Sequence, residues 1–208
     1  MSGFFITLEG GEGVGKSTQI KRLAAALTQK NIAVVTTREP GGSPGAEEIR
    51  GLLVNGAPGR WDALTETLLV YAARADHVKR TIGPALLAGT WVICDRFADS
   101  TYAYQGAGRG LQRETIRRID SVVLDDFKPD LTLMLDLDVE TGLKRANARG
   151  PLESRFEKFD RDFHERLRQA FLDIARRNPD RCQLIDAAGD EDAVAAAIWA
   201  IVARRFDL

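Results

Sequence analysis

The chain has 208 residues, of which 44% are hydrophobic and 28% are charged. This length suits one substantial hydrophobic core and is short for two, so we expect a single domain over residues 1–208. Its 29 basic and 30 acidic residues give a net charge of −1, which argues against general binding to nucleic acid or to a membrane surface.

Two further features predict a cytoplasmic protein. The N-terminus leads directly into an apolar run, without the segments of a secretory signal, and no apolar run is long enough to cross a bilayer. Cys94 and Cys182 each fall within an apolar run and lack the spacing of metal ligands. We therefore expect two buried thiols in a reducing compartment.

Strands and helices alternate along the chain. Apolar runs predict five strands, at residues 4–8, 32–37, 91–95, 131–137 and 182–186. Helices are expected at about 18–27, 44–54, 64–75 and 192–204, and two more flank Gly150-Pro151. The helix at 64–75 either continues or breaks before Ile82. The helix at 64–75 would carry Leu64, Leu68, Tyr71 and Ala75 on one apolar face. This order predicts an α/β fold, a parallel, doubly wound sheet with helices on both faces.

The first strand runs into a phosphate-binding loop. Residues 10–18 match the pattern G-x-x-x-x-G-K-[ST] at every fixed position. The glycines let backbone N–H groups surround phosphate oxygens, and the next helix adds the positive end of its dipole. We expect a nucleoside triphosphate here, its outer phosphates at the loop lysine; a chance match is disfavoured by the flanking strand and helix. The loop residues are Gly10, Gly11, Glu12, Gly13, Val14, Gly15, Lys16, Ser17 and Thr18.

Two side chains are candidate ligands of Mg²⁺. The hydroxyl of Ser17 follows the loop lysine, and Asp95 ends the third apolar run. Phosphate-loop enzymes place a hydroxyl and a Walker-B acid in these positions. For Asp95, a helix cap or a carboxylate neutralised by Arg96 is the alternative.

Three arginines predict a second phosphate site. Arg38 and Arg96 follow predicted strands, at the edge where doubly wound sheets bind ligands, and Arg74 lies on a helix that can pack across the same cleft. Guanidinium groups bind phosphate bidentately, although each of these arginines alone would more often be a surface residue. The second site indicates a phosphorylated acceptor, which is already ionised near neutral pH and needs no general base.

A basic passage from Lys144 to Arg168 lies between the fourth strand and the fifth, with the predicted lid at about residues 145–158 within it. Taken alone, such charge is typical of a solvated helix face. Its place after a strand of a phosphate-loop domain instead predicts a lid that supplies arginines to the transferred phosphoryl group.

Five short motifs occur in order along the chain. They are Glu9-Gly10 with Glu12, Thr-Arg-Glu-Pro-Gly-Gly at 37–42, Tyr-Ala-Ala-Arg-Ala at 71–75, Asp-Arg-Phe at 95–97 and Tyr-Gln-Gly-Ala-Gly-Arg at 104–109. In this order they resemble bacterial thymidylate kinases over nearly the whole chain. The resemblance implies a P-loop kinase fold with a lid, a homodimer, and transfer of a phosphoryl group from ATP to dTMP with Mg²⁺, giving dTDP.

The resemblance also implies roles for the acceptor-site residues. Glu12 is similar to a carboxylate that contacts the 3′-hydroxyl of the deoxyribose, and Tyr104 to a ring against the sugar that disfavours a 2′-hydroxyl. Thr101 and Gln105 match positions near the thymine edge. The arginines around the acceptor phosphate would be Arg38, Arg74 and Arg96.

Catalysis would rest on charge neutralisation by four cations. Arg155-Phe156-Glu157 resembles the lid signature of the family, so Arg155 is the first candidate for the transition-state arginine and Arg149 the second. Lys16 and Arg96 complete the predicted catalytic set.

One position departs from the family pattern. Family members usually carry a stacking Phe four residues before the helix arginine, where this chain has Val70, followed by Tyr71. We include both residues in the predicted acceptor site. Losing a base–aromatic stack costs about 1–3 kcal/mol, so we expect weaker thymine binding or a ring supplied from elsewhere.

Two other functions compete with this interpretation. Another nucleoside monophosphate kinase, for UMP/CMP or a purine, would share the fold, but Thr101, Gln105 and the acid in the loop argue against it. A phosphate-loop switch protein would not need a second arginine cluster, and the chain has no Asn-Lys-x-Asp motif.

Overall fold

The computed structural model describes residues 3–57, 59–148, 156 and 159–208. Most of the predicted lid, including Arg149 and Arg155, therefore lies outside the described residues.

The five predicted strands form one parallel sheet. They are β1 (Phe5–Glu9), β2 (Val34–Arg38), β3 (Trp91–Asp95), β4 (Leu131–Asp136) and β5 (Cys182–Asp186), in the spatial order β2-β3-β1-β4-β5. The predicted sheet is confirmed, with β3 and β5 at the expected bounds and the other strands shifted by one or two residues at one or both ends. The carboxyl ends of β1 and β3 lie side by side, which brings the phosphate loop next to Asp95 and Arg96.

Helices connect these strands. In chain order the α-helices are α1 (Lys16–Gln29), α2 (Pro44–Val54), α3 (Ala63–His77), α4 (Gly83–Leu87), α5 (Ala98–Thr101), α6 (Arg113–Val123), α7 (Val139–Asn147), α8 (Arg161–Arg177) and α9 (Glu191–Phe206). Two π-helical turns follow α3 and α5, at Val78–Ile82 and Tyr102–Gly108. Sequence patterns gave no prediction for α4, α5, α6 or the π-helical turn at Tyr102–Gly108. In α6 an apolar period was nevertheless present, because Ile116, Ile119 and Val123 recur at helical spacing and pack in one cluster.

The core occupies both faces of the sheet, as a doubly wound fold requires. Alternate residues of a strand point to opposite faces. On one face, Ile6 and Leu8 pack against α1 and α9 through residues such as Leu23 and Ile198. On the other, Phe5 of the same strand packs in a cluster with α3 and α6, and Met134 of β4 packs with α8.

The apolar face predicted for α3 is wrong. Leu64 and Leu68 are 43% and 51% exposed, and Ala75 is exposed too. The buried face instead carries Glu66 and Arg74, together with other polar residues, because α3 turns this side toward the ligand edge of the sheet. A polar site overrides the simple rule that the apolar stripe faces inward.

Both cysteines are buried and free, as predicted. Within the described ranges, none of the helices has the length and apolar character needed to cross a membrane.

Candidate active site

The phosphate loop takes a conformation that only glycine allows at key positions. Gly10 and Gly13 have φ angles of 135° and 68°. A Cβ on Gly13 would lie 1.9 Å from the carbonyl oxygen of Gly142, so its absence lets α7 approach the loop. The side chain of Val14 packs in the hydrophobic core and so anchors the loop to the domain. The loop therefore presents backbone N–H groups at the N-terminus of α1, the expected arrangement for phosphate binding.

The loop lysine is buried and points back to the loop. Lys16 Nζ donates to the carbonyl oxygens of Gly11 at 2.9 Å and Gly10 at 3.3 Å. Burial and the nearby Arg96 together lower the pKa of Lys16 to about 8, although the acids Asp95 and Glu12 offset part of the shift. The charge of this lysine thus depends on pH near neutrality.

The two predicted metal ligands lie together. Ser17 Oγ donates to Asp95 Oδ2 over 3.1 Å, and Asp95 Oδ1 is buried without a hydrogen-bond partner among the described residues. A hydroxyl and a carboxylate oxygen are the ligand types that Mg²⁺ takes. The described part of the chain holds no group of three His, Cys, Asp or Glu side chains that could bind a metal ion. A Mg²⁺ ion here would thus rely on phosphate and water oxygens as well.

Glu12 accepts hydrogen bonds from two other residues of the predicted acceptor site. It accepts from Tyr104 Oη at 2.6 Å and from Arg96 Nη2 at 3.1 Å, and the Arg96 guanidinium lies 4.9 Å from the centre of the Tyr104 ring. Burial alone would raise the pKa of Glu12, but Arg96, Lys16 and the Tyr104 hydroxyl outweigh it and lower the pKa to about 2. Glu12 is therefore a fixed carboxylate at neutral pH.

Arg96 connects the phosphate loop to the segment that follows β3. Its backbone has a φ of 69°, unusual for a residue with a side chain, and its Nη1 donates to Gly10 O at 2.8 Å and to Ser100 Oγ at 3.2 Å. These contacts place Arg96 against the phosphate loop, and its predicted contact with an acceptor phosphate stays a prediction. Its guanidinium lies between the donor loop and the acceptor pocket.

Arg74 is buried and only partly neutralised. Its Nε donates to Glu39 Oε2 at 2.7 Å and its Nη2 to Thr101 Oγ1 at 3.1 Å, whereas its Nη1 is buried with no hydrogen-bond partner in the described residues. The guanidinium also lies 4.6 Å from the Tyr71 ring centre and 5.1 Å from that of Phe97. A buried N–H without a partner costs free energy unless a ligand accepts from it.

One pocket gathers most of the predicted acceptor residues, and we call it the acceptor pocket. It encloses about 130 Å³ and opens between α2, α3, α5 and the phosphate loop. Its walls include Glu12, Glu39, Pro40, Arg50, Leu53, Val54, Val70, Arg74, Arg96, Phe97, Ser100, Thr101, Tyr104, Gln105 and Phe156. The wall combines arginines and Glu12 with apolar side chains and Gln105, the mixture that a phosphorylated ligand with an apolar body needs.

Two predicted acceptor residues do not line this pocket. The Arg38 side chain is 52% exposed and donates to Glu47 at 3.2 Å. Tyr71 is 1% exposed, donates to Asp120 at 2.6 Å and lies beneath Arg74. Direct ligand contact by Arg38 and Tyr71 stays a prediction, and Tyr71 acts in this structure as support for the Arg74 guanidinium.

Several residues of the site were missed from sequence. Arg50 of α2 lines the acceptor pocket and donates to the carbonyl oxygen of Pro40. Glu39 accepts from Arg74 and also from His77 Nδ1 at 3.0 Å, while His77 Nε2 lies 2.7 Å from Thr37 Oγ1. The sequence did contain one indication of Glu39, because this carboxylate directly follows Arg38 at the end of β2, on the ligand side of the sheet.

Glu9 is a further buried acid, at the end of β1. It accepts from Phe97 N at 2.7 Å and from Ser100 Oγ at 2.6 Å. Burial and the nearby Asp99 together raise its pKa to about 7, although the Ser100 hydroxyl and Arg96 offset part of the rise. Glu9 thereby anchors the segment that follows Arg96 to the central strand.

Comparisons with known proteins agree on one family. Residues 8–198 match the family model described as thymidylate kinase. The chain is 58% identical over 206 residues to a thymidylate kinase of Caulobacter vibrioides, covering 99% of each chain. It is 52% identical over 201 residues to one of Ruegeria pomeroyi, covering 97% of this chain and 95% of that one. A crystal structure of thymidylate kinase from Ehrlichia chaffeensis is similar with a TM-score of 0.79 at 34% identity, covering 97% of this chain and 100% of that one.

Proposed function

The chain belongs to the thymidylate kinase family, and from this premise we propose that it transfers the γ-phosphoryl group of ATP to dTMP, giving dTDP and ADP. It is a nucleoside monophosphate kinase, and ATP is its phosphate donor. The described site supports each half of this reaction, a phosphate loop for the donor and the acceptor pocket for the monophosphate.

The observation that carries the proposal is the unpartnered nitrogen of Arg74. Its Nη1 is buried, has no hydrogen-bond partner in the described ranges, and belongs to a residue on the wall of the acceptor pocket. Glu39 already accepts from Nε of the same guanidinium, so the remaining donor suits a second anion. A monophosphate oxygen supplies that acceptor, and Arg96 on the same wall supplies a second cation.

The proposed mechanism is positioning and charge neutralisation. The acceptor phosphate is largely ionised near neutral pH, so its oxygen attacks the γ-phosphorus without a general base. Lys16 binds the outer donor phosphates, and Arg96, between the two sites, neutralises charge on the group in transfer. Arg74 and Arg96 hold the acceptor in line, which converts the encounter into a unimolecular step.

We propose Ser17 and Asp95 as the residues that hold Mg²⁺. The buried, unpartnered Oδ1 of Asp95 and the adjacent Ser17 hydroxyl fit an oxygen-ligated cation. When bound, the ion would neutralise charge on the donor's phosphates.

The lid arginines remain proposals that rest on the family resemblance. Arg155, with Arg149 second, would supply the transition-state charge. Substituting Arg155 by Ala should lower kcat by about 10³-fold or more while ATP still binds. A variant that kept full kcat would remove Arg155 from the mechanism.

We propose that Glu12 and Tyr104 face the deoxyribose. Tyr104 donates to Glu12, so the carboxylate is fixed and retains acceptor capacity for the sugar 3′-hydroxyl. Thr101 and Gln105 would meet the thymine edge, and Val70 would cover its face.

We further propose that the protein is a cytoplasmic homodimer. The free, buried thiols of Cys94 and Cys182 suit a reducing compartment. The outer surface of α2 and α3 exposes Leu52, Leu64 and Leu68 at 41–51%, a face that a second copy would cover. Light scattering at several concentrations should give twice the chain mass, and a monomer at every concentration would refute the dimer.

A direct test of the reaction is product identification. Incubating the protein with ATP, Mg²⁺ and dTMP should form dTDP and ADP in equal amounts. ATP hydrolysis without dTDP would support the switch protein instead, and product from UMP or CMP alone would support the other monophosphate kinases.

A further inference from the structure

A fully buried carboxylate lies behind one residue of the acceptor pocket. Gln105 lines the pocket, and its Nε2 donates to Glu66 Oε1 over 2.8 Å. Glu66 is 0% exposed, Gln105 is 3% exposed, and Glu66 is not itself on the pocket wall. The hydrogen bond therefore connects a residue of the pocket to a residue one layer deeper, on α3.

A third residue neutralises Glu66. Arg109 Nη1 lies 2.8 Å from Glu66 Oε2, the oxygen that does not accept from Gln105, and Arg109 also donates to the carbonyl oxygen of Trp61. A buried carboxylate needs a partner of opposite charge, and Arg109 supplies it. The negative charge of Glu66 is thus built into the fold.

This arrangement determines which end of the Gln105 amide faces Glu66. An ionised carboxylate only accepts hydrogen bonds, so the NH₂ group must face Glu66 and the carbonyl oxygen must lie on the other side of the amide. The reverse orientation would place two acceptor oxygens against each other in a buried site, which is costly. Because Gln105 lines the pocket and Glu66 does not, the carbonyl oxygen is the end left to face a ligand.

We propose that Glu66 is a specificity-determining residue that acts through Gln105. By fixing the amide, it presents an acceptor to the edge of the acceptor base, which selects a pyrimidine with an N3–H donor over cytosine, whose N3 is an acceptor. This inference rests on the proposed function and deepens it. It makes no distinction between thymine and uracil, since both carry N3–H.

The test is the ratio of kcat/KM for dTMP to kcat/KM for dCMP. In Glu66→Gln the residue at 66 can donate as well as accept, so the Gln105 amide can turn and offer its NH₂ group to cytosine. We expect this ratio to fall at least about tenfold relative to the native chain. A purely structural Glu66 would change both substrates equally and leave the ratio unchanged, which would overturn the proposal.

A paired exchange tests the same point in the other direction. Glu66→Gln combined with Gln105→Glu keeps one carboxylate and one amide in the same volume and again leaves only acceptor oxygens facing the base. The double variant should recover the preference for dTMP, and a double variant as unselective as Glu66→Gln would contradict the inference.

Arg109→Lys is the matched control. It perturbs the same buried ion pair but leaves Glu66 as an acceptor, so the dTMP to dCMP ratio should stay within about twofold of the native value even if the melting temperature falls. A ratio that fell as far as in Glu66→Gln would assign the effect to lost stability. The two proposals fail in different ways. If the native chain did not use dTMP at all, the proposed function would be refuted. If the native chain used dTMP and Glu66→Gln kept the native ratio, only the role of Glu66 would be refuted.

Discussion

Arg74 Nε donates to Glu39 Oε2 over 2.7 Å in a pair whose side chains are only 2% and 3% exposed. Glu39 is in turn fixed by His77, so the guanidinium has one orientation, with Nη1 left for a ligand. A buried pair of this kind is weak evidence for stability, because desolvation offsets the attraction. Its position on the wall of the acceptor pocket instead agrees with the proposed role of Arg74 in binding the acceptor phosphate.

Substituting Arg74 by Lys should therefore weaken acceptor binding more than any other property. Lysine keeps a charge near Glu39 but loses the planar guanidinium with its several N–H donors. We expect the KM for dTMP to rise about 10- to 100-fold, because one charge-assisted hydrogen bond to the acceptor is lost. The KM for ATP should stay nearly unchanged. Steady-state kinetics with each substrate varied measures this. Arg181→Lys, which perturbs a half-buried arginine paired with Asp99 outside the pocket wall, is the control and should leave the dTMP KM unaffected.

ATP binding should weaken as the pH rises above about 8. Burial lowers the pKa of Lys16 to about 8, and a triphosphate binds its charged form. Above that pKa the lysine must take up a proton on binding, so the Kd for ATP should rise, at most about tenfold per pH unit. Calorimetric titration between pH 7 and 9 measures the change. Lys16→Arg stays charged, so an equally steep rise in that variant would assign the titration to another group.

Glu9 should make the native chain lose stability as the pH rises from about 4.5 to 7. Its pKa is raised from 4.5 to about 7 by burial, so the folded state binds this proton more tightly than the unfolded state. The contribution is complete below the unfolded pKa and is lost as the pH passes the folded one, with a total of about 3 kcal/mol. Denaturant unfolding at several pH values should show the native chain losing stability relative to Glu9→Gln across this window. A difference independent of pH would contradict it.

The strands and the phosphate loop were predictable because their signals are local. The five residues of β3 predicted both a buried strand and a carboxylate, Asp95, at its C-terminal end. The fixed positions of the phosphate loop predicted Lys16 and Ser17. Parallel pairing then places Asp95 beside Leu8 at the end of β1, and the loop residues follow.

The second layer of the site was not predictable in this way. Glu66 and His77 are polar residues on the buried side of α3, and Glu39 lies in the loop after β2. Their roles arise only when α3 packs against that loop, where Arg74 and His77 donate to Glu39. The same tertiary arrangement leaves Leu64 and Leu68 exposed, against the apolar period of α3. Arg38 ends a strand at the predicted edge, and in this structure its side chain pairs with Glu47, so ligand contact by Arg38 stays a prediction.

Restoring an aromatic ring at position 70 should strengthen acceptor binding. Val70 is 8% exposed and lines the acceptor pocket, as do the rings of Phe97 and Phe156. Val70→Phe should lower the KM for dTMP by about fivefold or more if stacking is missing, given about 1–3 kcal/mol per base stack. An unchanged KM would mean that the existing rings already cover the base. A raised KM would mean that the larger side chain does not fit.

The central claim, a site built for dTMP and ATP, is tested most directly by kcat/KM over a panel of monophosphates with ATP as donor. The panel comprises dTMP, dUMP, dCMP, UMP, AMP and GMP, each measured with the native chain under the same conditions. We predict the highest kcat/KM for dTMP, at least about 100-fold above UMP, AMP and GMP. The reason is that Tyr104 fixes Glu12 and Glu66 fixes Gln105, the residues that we propose to read the sugar and the base. Equal values for dTMP and for AMP or GMP would contradict the account.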